Sequence, residues 1–255
     1  MNRKLLSSLL ISVILCIGLI TSVSFAAEQK AAAINFGDTA KGINKMFDNE
    51  GIKYDEYDIV TIDKLWSSLD SYWIIWVGWL GSSGGKNISS SFAKHKDQLG
   101  TWIQAGGAFA TDTAYSPDYP ELYQSLPDSP NSDGLVQAQS SAKIVMKDHP
   151  IVNKPNDITD NKFYDNWGWT AGGKFIKTDG YDIIAVSADD KPTWIAHKKL
   201  RISLTMMACT WGAFHPNHIK MPQNIINYFQ TLVIAVEKED KLPVKWGQIK
   251  SDLTR

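Results

Sequence analysis

The chain has 255 residues, with 26 Lys and Arg against 27 Asp and Glu, 44% hydrophobic residues and two cysteines. An even charge balance leaves no basic stripe for nucleic acid. Cys16 falls in the N-terminal apolar stretch, which leaves Cys209 without an internal disulfide partner, so a hydrophobic core must hold the fold.

Met1 to Ala27 reads as a targeting segment. Arg3 and Lys4 supply the positive end, Leu5 to Val23 is apolar, and Ser24-Phe25-Ala26 offers small residues for cleavage after about Ala26. An uncleaved anchor is the alternative, since the apolar stretch approaches spanning length. Leu15 before Cys16 argues against a lipoprotein. The expected mature chain is exported, periplasmic or extracellular, and free of the membrane. Loss of Arg3 and Lys4 leaves 24 basic against 27 acidic residues, a net charge near −3. Residues 27–237 are expected to form one α/β domain, followed by a polar extension over 238–255.

The apolar pattern then alternates between strand and helix periods. Ala31 to Phe36 predicts a first strand. Gly37-Asp38-Thr39 opens a helix with Ile43, Met46 and Phe47 on one face, and Gly51 closes it. Tyr54 to Val60 reads as a second strand, Leu65 to Leu69 as a turn of helix, and Tyr72 to Trp79 as a buried strand. Gly78 to Gly85 can form a nest of backbone amides for an oxyanion or an ordinary flexible connection, readings of equal weight. No Lys stands in Walker spacing. Ile88, Phe92, Leu99, Trp102 and Ile103 mark an amphipathic helix, Gly106-Gly107 ends it, and Ala108 to Thr111 resumes a strand.

Residues 115–181 read as an irregular middle. Leu135 to Met146 holds one or two strands, His149 before Pro150 fits a turn residue better than a ligand, and Trp167 and Trp169 fit packing better than sugar stacking. Asp182 to Val186 and Pro192 to His197 predict a hairpin-like pair. Ile202 to Cys209 is continuous enough to be buried on both faces, with Cys209 a small apolar side chain. Gly212 and Pro216 break it. Pro222 suits the first turn of a helix with Ile225, Ile226, Phe229, Leu232, Val233 and Val236 as its stripe. The central strands of a mainly parallel sheet are then Trp73–Val77, Phe109–Thr111 and Ile202–Cys209, with ligands expected at their carboxyl edge.

Two short stretches carry a family resemblance. Phe214-His215-Pro216-Asn217, between a late strand and a closing helix, resembles the Phe-His-Pro-Glu motif of class I glutamine amidotransferases. Leu99 to Ala110 resembles the stretch before the nucleophile elbow in the related trehalose-utilisation (ThuA-like) proteins. The likeness spans roughly residues 31–235 and implies a flavodoxin-like α/β three-layer sandwich around a mainly parallel sheet. It also implies where the chain departs. The elbow carries Thr111-Asp112-Thr113 instead of the Cys that forms the acyl intermediate, and Asn217 replaces the acid, so His215 alone remains of the triad.

The resulting candidates are His215, Asp112 and Thr111 for catalysis and Gly78, Trp79, Gly81, Trp211 and His218 for ligand binding. His215, His218 and Asp112 have only a generic metal spacing, so no metal and no cofactor is assigned. A module binding a small-molecule or carbohydrate-related ligand ranks ahead of a hydrolase or other enzyme using His215 with Asp112 as an acid/base pair. Oligomeric state is left open.

Overall fold

The computed structural model describes residues 30–35, 42–78, 85–112, 120–133, 142–161, 173–207 and 218–239. Among them, eight strands form one sheet: β1 (Lys30–Ile34), β2 (Tyr54–Tyr57), β3 (Tyr72–Val77), β4 (Ala108–Asp112), β6 (Ala142–Ile144), β8 (Tyr181–Ser187), β9 (Pro192–His197) and β10 (Ile202–Thr205), in the order β2-β1-β3-β4-β10-β9-β8-β6. The first five pair in parallel, and β9, β8 and β6 extend the sheet antiparallel. A short second sheet pairs β5 (Asn131–Asp133) with β7 (Lys174–Lys177). As the continuous apolar runs require, β3, β4 and β10 occupy the centre.

Two layers of helix cover the sheet. On one face, α1 (Gly42–Asn49), the single-turn α5 (Pro150–Asn153) and α6 (Lys220–Glu239) bury Ile43, Phe47, Ile151, Met221, Ile225 and Phe229 against Ala33, Trp76, Ala110 and Trp194. On the other, a 3-10 helix (Ile62–Ser71), α2 (Gly85–Lys94), α3 (Lys96–Gln104) and α4 (Pro120–Gln124) bury Trp66, Phe92, Leu99, Trp102 and Tyr123 against Ile75, Phe109 and Leu204. No helix of the described residues is long and apolar enough to cross a membrane.

Several expected elements change in detail. The second strand stops at Tyr57, not Val60, because Asp58 folds back. Its Oδ1 accepts from the amides of Val60 (2.9 Å) and Thr61 (2.8 Å), and Val60 is exposed. The helix of residues 85–104 is two helices joined at His95, whose ring stacks on Trp66 at 4.6 Å, 12° from parallel. β10 ends at Thr205 rather than Cys209, which lies outside the described residues, as does the expected extension beyond Glu239. Gly107 lets β4 start directly under α3, since a Cβ there would stand 2.4 Å from the Trp102 ring.

The loop at Asn156 is tied to α6 by the buried Asn224, and Gln223 Oε1 also accepts from Asn156 Nδ2 at 3.2 Å. Asn224 accepts from the Asn156 amide through Oδ1 (2.9 Å) and donates from Nδ2 to the Asn156 carbonyl (2.8 Å). Asn224→Ala removes both bonds, together with that from Asn156 Nδ2 to Asn224 Oδ1 (3.2 Å), and orphans two backbone groups, so the unfolding free energy is expected to fall by about 2 kcal/mol, measurable by urea denaturation.

Candidate functional site

The carboxyl edge of the parallel strands ends in a polar row. Asp112 is in register with Thr205; one step beyond the pairs Ile34 with Val77 and Val77 with Thr111, Asn35 and Gly78 complete the row. It follows an apolar one in which Ala33 and Ala110 flank Trp76, leaving room for the indole. Alternation of side chains along a strand puts Asn35, Asp112 and Thr205 on the face of α1 and α6. Asp112 is fully buried, and its Oδ1 accepts the indole N–H of Trp76 at 3.1 Å.

Thr111 and Asp112 therefore do not converge. Thr111 points to the opposite face, toward α2 and α4, where its buried Oγ1 has no hydrogen-bond partner among the described residues. Gly78 sits in the row, but its amide donates to the Ile34 carbonyl at 2.9 Å. That amide is therefore engaged in the ladder, and residues 79–84 of the glycine-rich stretch lie outside the described residues. His218 is buried just ahead of α6, its carbonyl accepting from Met221 at 3.3 Å. His215, Trp79, Gly81 and Trp211, with Trp167 and Trp169, lie outside the described residues.

The sequence reading missed Asn35. Its Nδ2 donates to Asn44 Oδ1 on α1 at 2.7 Å, and Asn44 Nδ2 donates to Glu56 Oε2 on β2 at 3.0 Å. Asn35 is 1% exposed, and its Oδ1 has no hydrogen-bond partner among the described residues. The available signal was a lone amide ending the apolar run Ala31-Ala32-Ala33-Ile34, two positions past Ala33 and hence on its face.

A His–carboxylate pair exists, but at the opposite edge. His197 Nε2 lies 3.0 Å from Asp128 Oδ2, while its Nδ1 accepts from the amides of Lys199 and Leu200, each at 3.0 Å. Two donors on Nδ1 occupy the lone pair a general base needs, so this pair fastens a turn. His149 takes the turn role expected of it: it is the N-cap of α5, and its Nδ1 accepts from the Ile151 amide at 3.2 Å. No group of three His, Cys, Asp or Glu among the described residues can hold a metal.

No family model matches the sequence, and no curated protein matches it. Solved structures do match the fold. A candidate GMP synthase component from Thermoplasma acidophilum superposes with a TM-score of 0.55 at 12% identity, over 83% of this chain and 98% of that one. A glutamine amidotransferase from Thermotoga maritima gives 0.50 at 13% identity, over 84% and 86%. One from Methylobacillus flagellatus gives 0.50 at 10%, over 72% and 70%. The chain thus shares the mostly parallel, flavodoxin-type α/β fold of glutamine amidotransferase-like proteins.

Two outcomes follow from these contacts. Trp76→Phe leaves the Asp112 carboxylate without its indole donor and opens a void, and is expected to cost about 2–4 kcal/mol of stability; Asp112→Asn, which keeps an acceptor, costs less, as thermal unfolding would report. Burial holds His149 below its ordinary pKa of 6.5, against the opposing pull of Asp182. The unfolded chain then takes up a proton that the folded one refuses. Stability should fall as pH drops below about 6.5 and level off below the lowered value. His149→Asn, a cap that does not titrate, should flatten that slope in pH-dependent urea titrations.

Proposed function

We propose that the chain is an exported binding domain on a glutamine amidotransferase-like scaffold, taking a small carbohydrate-related ligand at the carboxyl edge of its parallel strands and releasing no ammonia from glutamine. The observation that carries this reading is the state of Asp112. At the elbow position, where glutamine hydrolysis needs a thiol open to substrate, stands a buried carboxylate bonded to Trp76. A carboxylate so engaged is also poorly placed as the partner of His215 in acid/base chemistry, which puts binding ahead of a hydrolase. The likeness of Leu99 to Ala110 to ThuA-like proteins supports a carbohydrate-related ligand. The basic, apolar and small-residue order of Met1 to Ala26 supports export.

The test uses the chain purified without residues 1–26. Incubation with glutamine should release no ammonia above buffer, and D-glucose or trehalose should raise the melting temperature in a saturable way. Ammonia release abolished by Cys209→Ala would overturn the reading, because a thiol nucleophile would then be in place. Absence of any melting shift with either sugar would overturn its carbohydrate part.

A further inference from the structure

Three connections meet at the amino edge of the parallel strands, and one histidine joins them. His197 ends β9 and is 6% exposed. Its Nδ1 accepts from the amides of Lys199 and Leu200, which fixes a neutral ring with its proton on Nε2, and that N–H donates to Asp128 Oδ2. The Asp128 side is held by much else. Asp128 (φ 60°) and Ser129 (φ 44°) both adopt left-handed backbone, and their turn is fastened by the Ser129 amide on the Leu126 carbonyl (3.0 Å), Lys177 Nζ on the Asp128 carbonyl (3.1 Å) and the Tyr181 hydroxyl on the Pro127 carbonyl (2.9 Å). Gly180 stands where a Cβ would collide with the Asp128 carboxylate. The other side is held by less, since the amides of Lys199 and Leu200 rest on Nδ1. The charged and titratable groups about the ring are Asp128 after α4, Lys177 of β7, Asp179 beside Gly180, Tyr181 of β8, and Lys198, Lys199 and Arg201 on the ring's own connection. Of these, Tyr181 meets the ring edge-on at 4.9 Å and Asp128 hydrogen-bonds to it.

We propose that His197 is an acid-sensitive latch on the 198–201 connection: a proton taken up at Nδ1 turns the acceptor of two amides into a third donor, and the connection opens while the charged ring stays paired with Asp128. A buried Nδ1–H facing two N–H groups has no acceptor, so the protonated ring is compatible with the open connection and not with the closed one. Charge on the ring strengthens its hydrogen bond to the carboxylate, so the Asp128 side tightens as the other lets go. What opens reaches beyond the turn. Leu200 packs against the core cluster that holds Phe109 and Ile202, and opening uncovers it. Arg201 donates from Nη1 to the Gly106 carbonyl (2.7 Å) and accepts the Phe109 amide on its own carbonyl (2.8 Å), so the same connection ties the start of β4 to β10. The latch lies at the edge opposite the proposed ligand site and does not depend on it.

The experiment follows the isotope-labelled chain by NMR between about pH 8 and about pH 5, the range in which histidine charges. At the upper end the His197 ring should carry its proton on Nε2 and none on Nδ1. As the ring titrates, the protection of the Lys199 and Leu200 amides against hydrogen exchange should fall about tenfold, in step with the ring signals. The amide of Asp190, bonded to the Ser187 carbonyl in a turn without histidine, should keep its protection, which separates local opening from unfolding. His197→Asn puts an oxygen that does not titrate in place of Nδ1 and should keep both amides protected throughout. Asp128→Asn keeps an acceptor for Nε2 and tolerates the left-handed backbone, but removes the charge that favours the protonated ring, so the loss of protection should move to lower pH. The latch is overturned if the neutral ring carries its proton on Nδ1, if the ring titrates with both amides still protected, or if it stays neutral until the whole chain unfolds. The same loss of protection in His197→Asn would also overturn it. Should that variant not fold, Asp128→Asn decides, an unmoved transition counting against the latch.

Discussion

The hydrogen bond from the Trp76 indole to the Asp112 carboxylate sets the character of the carboxyl edge. The indole is among the largest fully buried side chains, and it fits because β1 and β4 place Ala33 and Ala110 on either side of it. Phe47 of α1 meets it edge-on, with ring centroids 6.5 Å apart, so the covering helix is seated by the same ring. Once an indole N–H is buried here it needs an acceptor within reach, and the position two residues beyond Ala110 is where the strand can supply one. Trp194 repeats the device on β9, donating to Ser203 of β10 at 2.9 Å. In this chain the end of β4 anchors a core aromatic.

A second constraint concerns the sign of the edge. Oxyanion stabilisation needs backbone amides free of the ladder, and Gly78 has its amide engaged with Ile34. The side chains that end the row, Asn35, Asp112 and Thr205, are all buried.

The fold was legible because burial on both faces leaves runs dominated by apolar residues; Tyr72–Val77 is the clearest, and Ala108–Asp112 and Ile202–Thr205 are buried throughout although they include Thr111, Asp112, Ser203 and Thr205. Their neighbours were less so. Asp58 looks compatible with a strand until its side chain is seen capturing the amides of Val60 and Thr61. The break at His95 depends on stacking against Trp66, a residue outside the helix. The site was half legible. Period-two alternation separates Thr111 from Asp112, so their opposite faces could be foreseen once β4 was placed. The relay from Glu56 to Asn35 could not, because it joins β2, a helix and β1 through side chains whose polarity is set by the most distant member.

The sheet's change of direction at β10 also orders its assembly. β8, β9 and β10 are joined by the segments 188–191 and 198–201, so their pairings close over short stretches of chain. The parallel contact between β4 and β10 joins Asp112 to Thr205, more than ninety positions apart. Loop-closure entropy therefore favours the antiparallel meander as the early-formed half, with β10 waiting at its border as a template for β4. Until β4 docks, Leu204 and Ile202 of β10 offer an unpaired apolar edge to any other strand. The interval between the two pairings is when the chain is most open to aggregation.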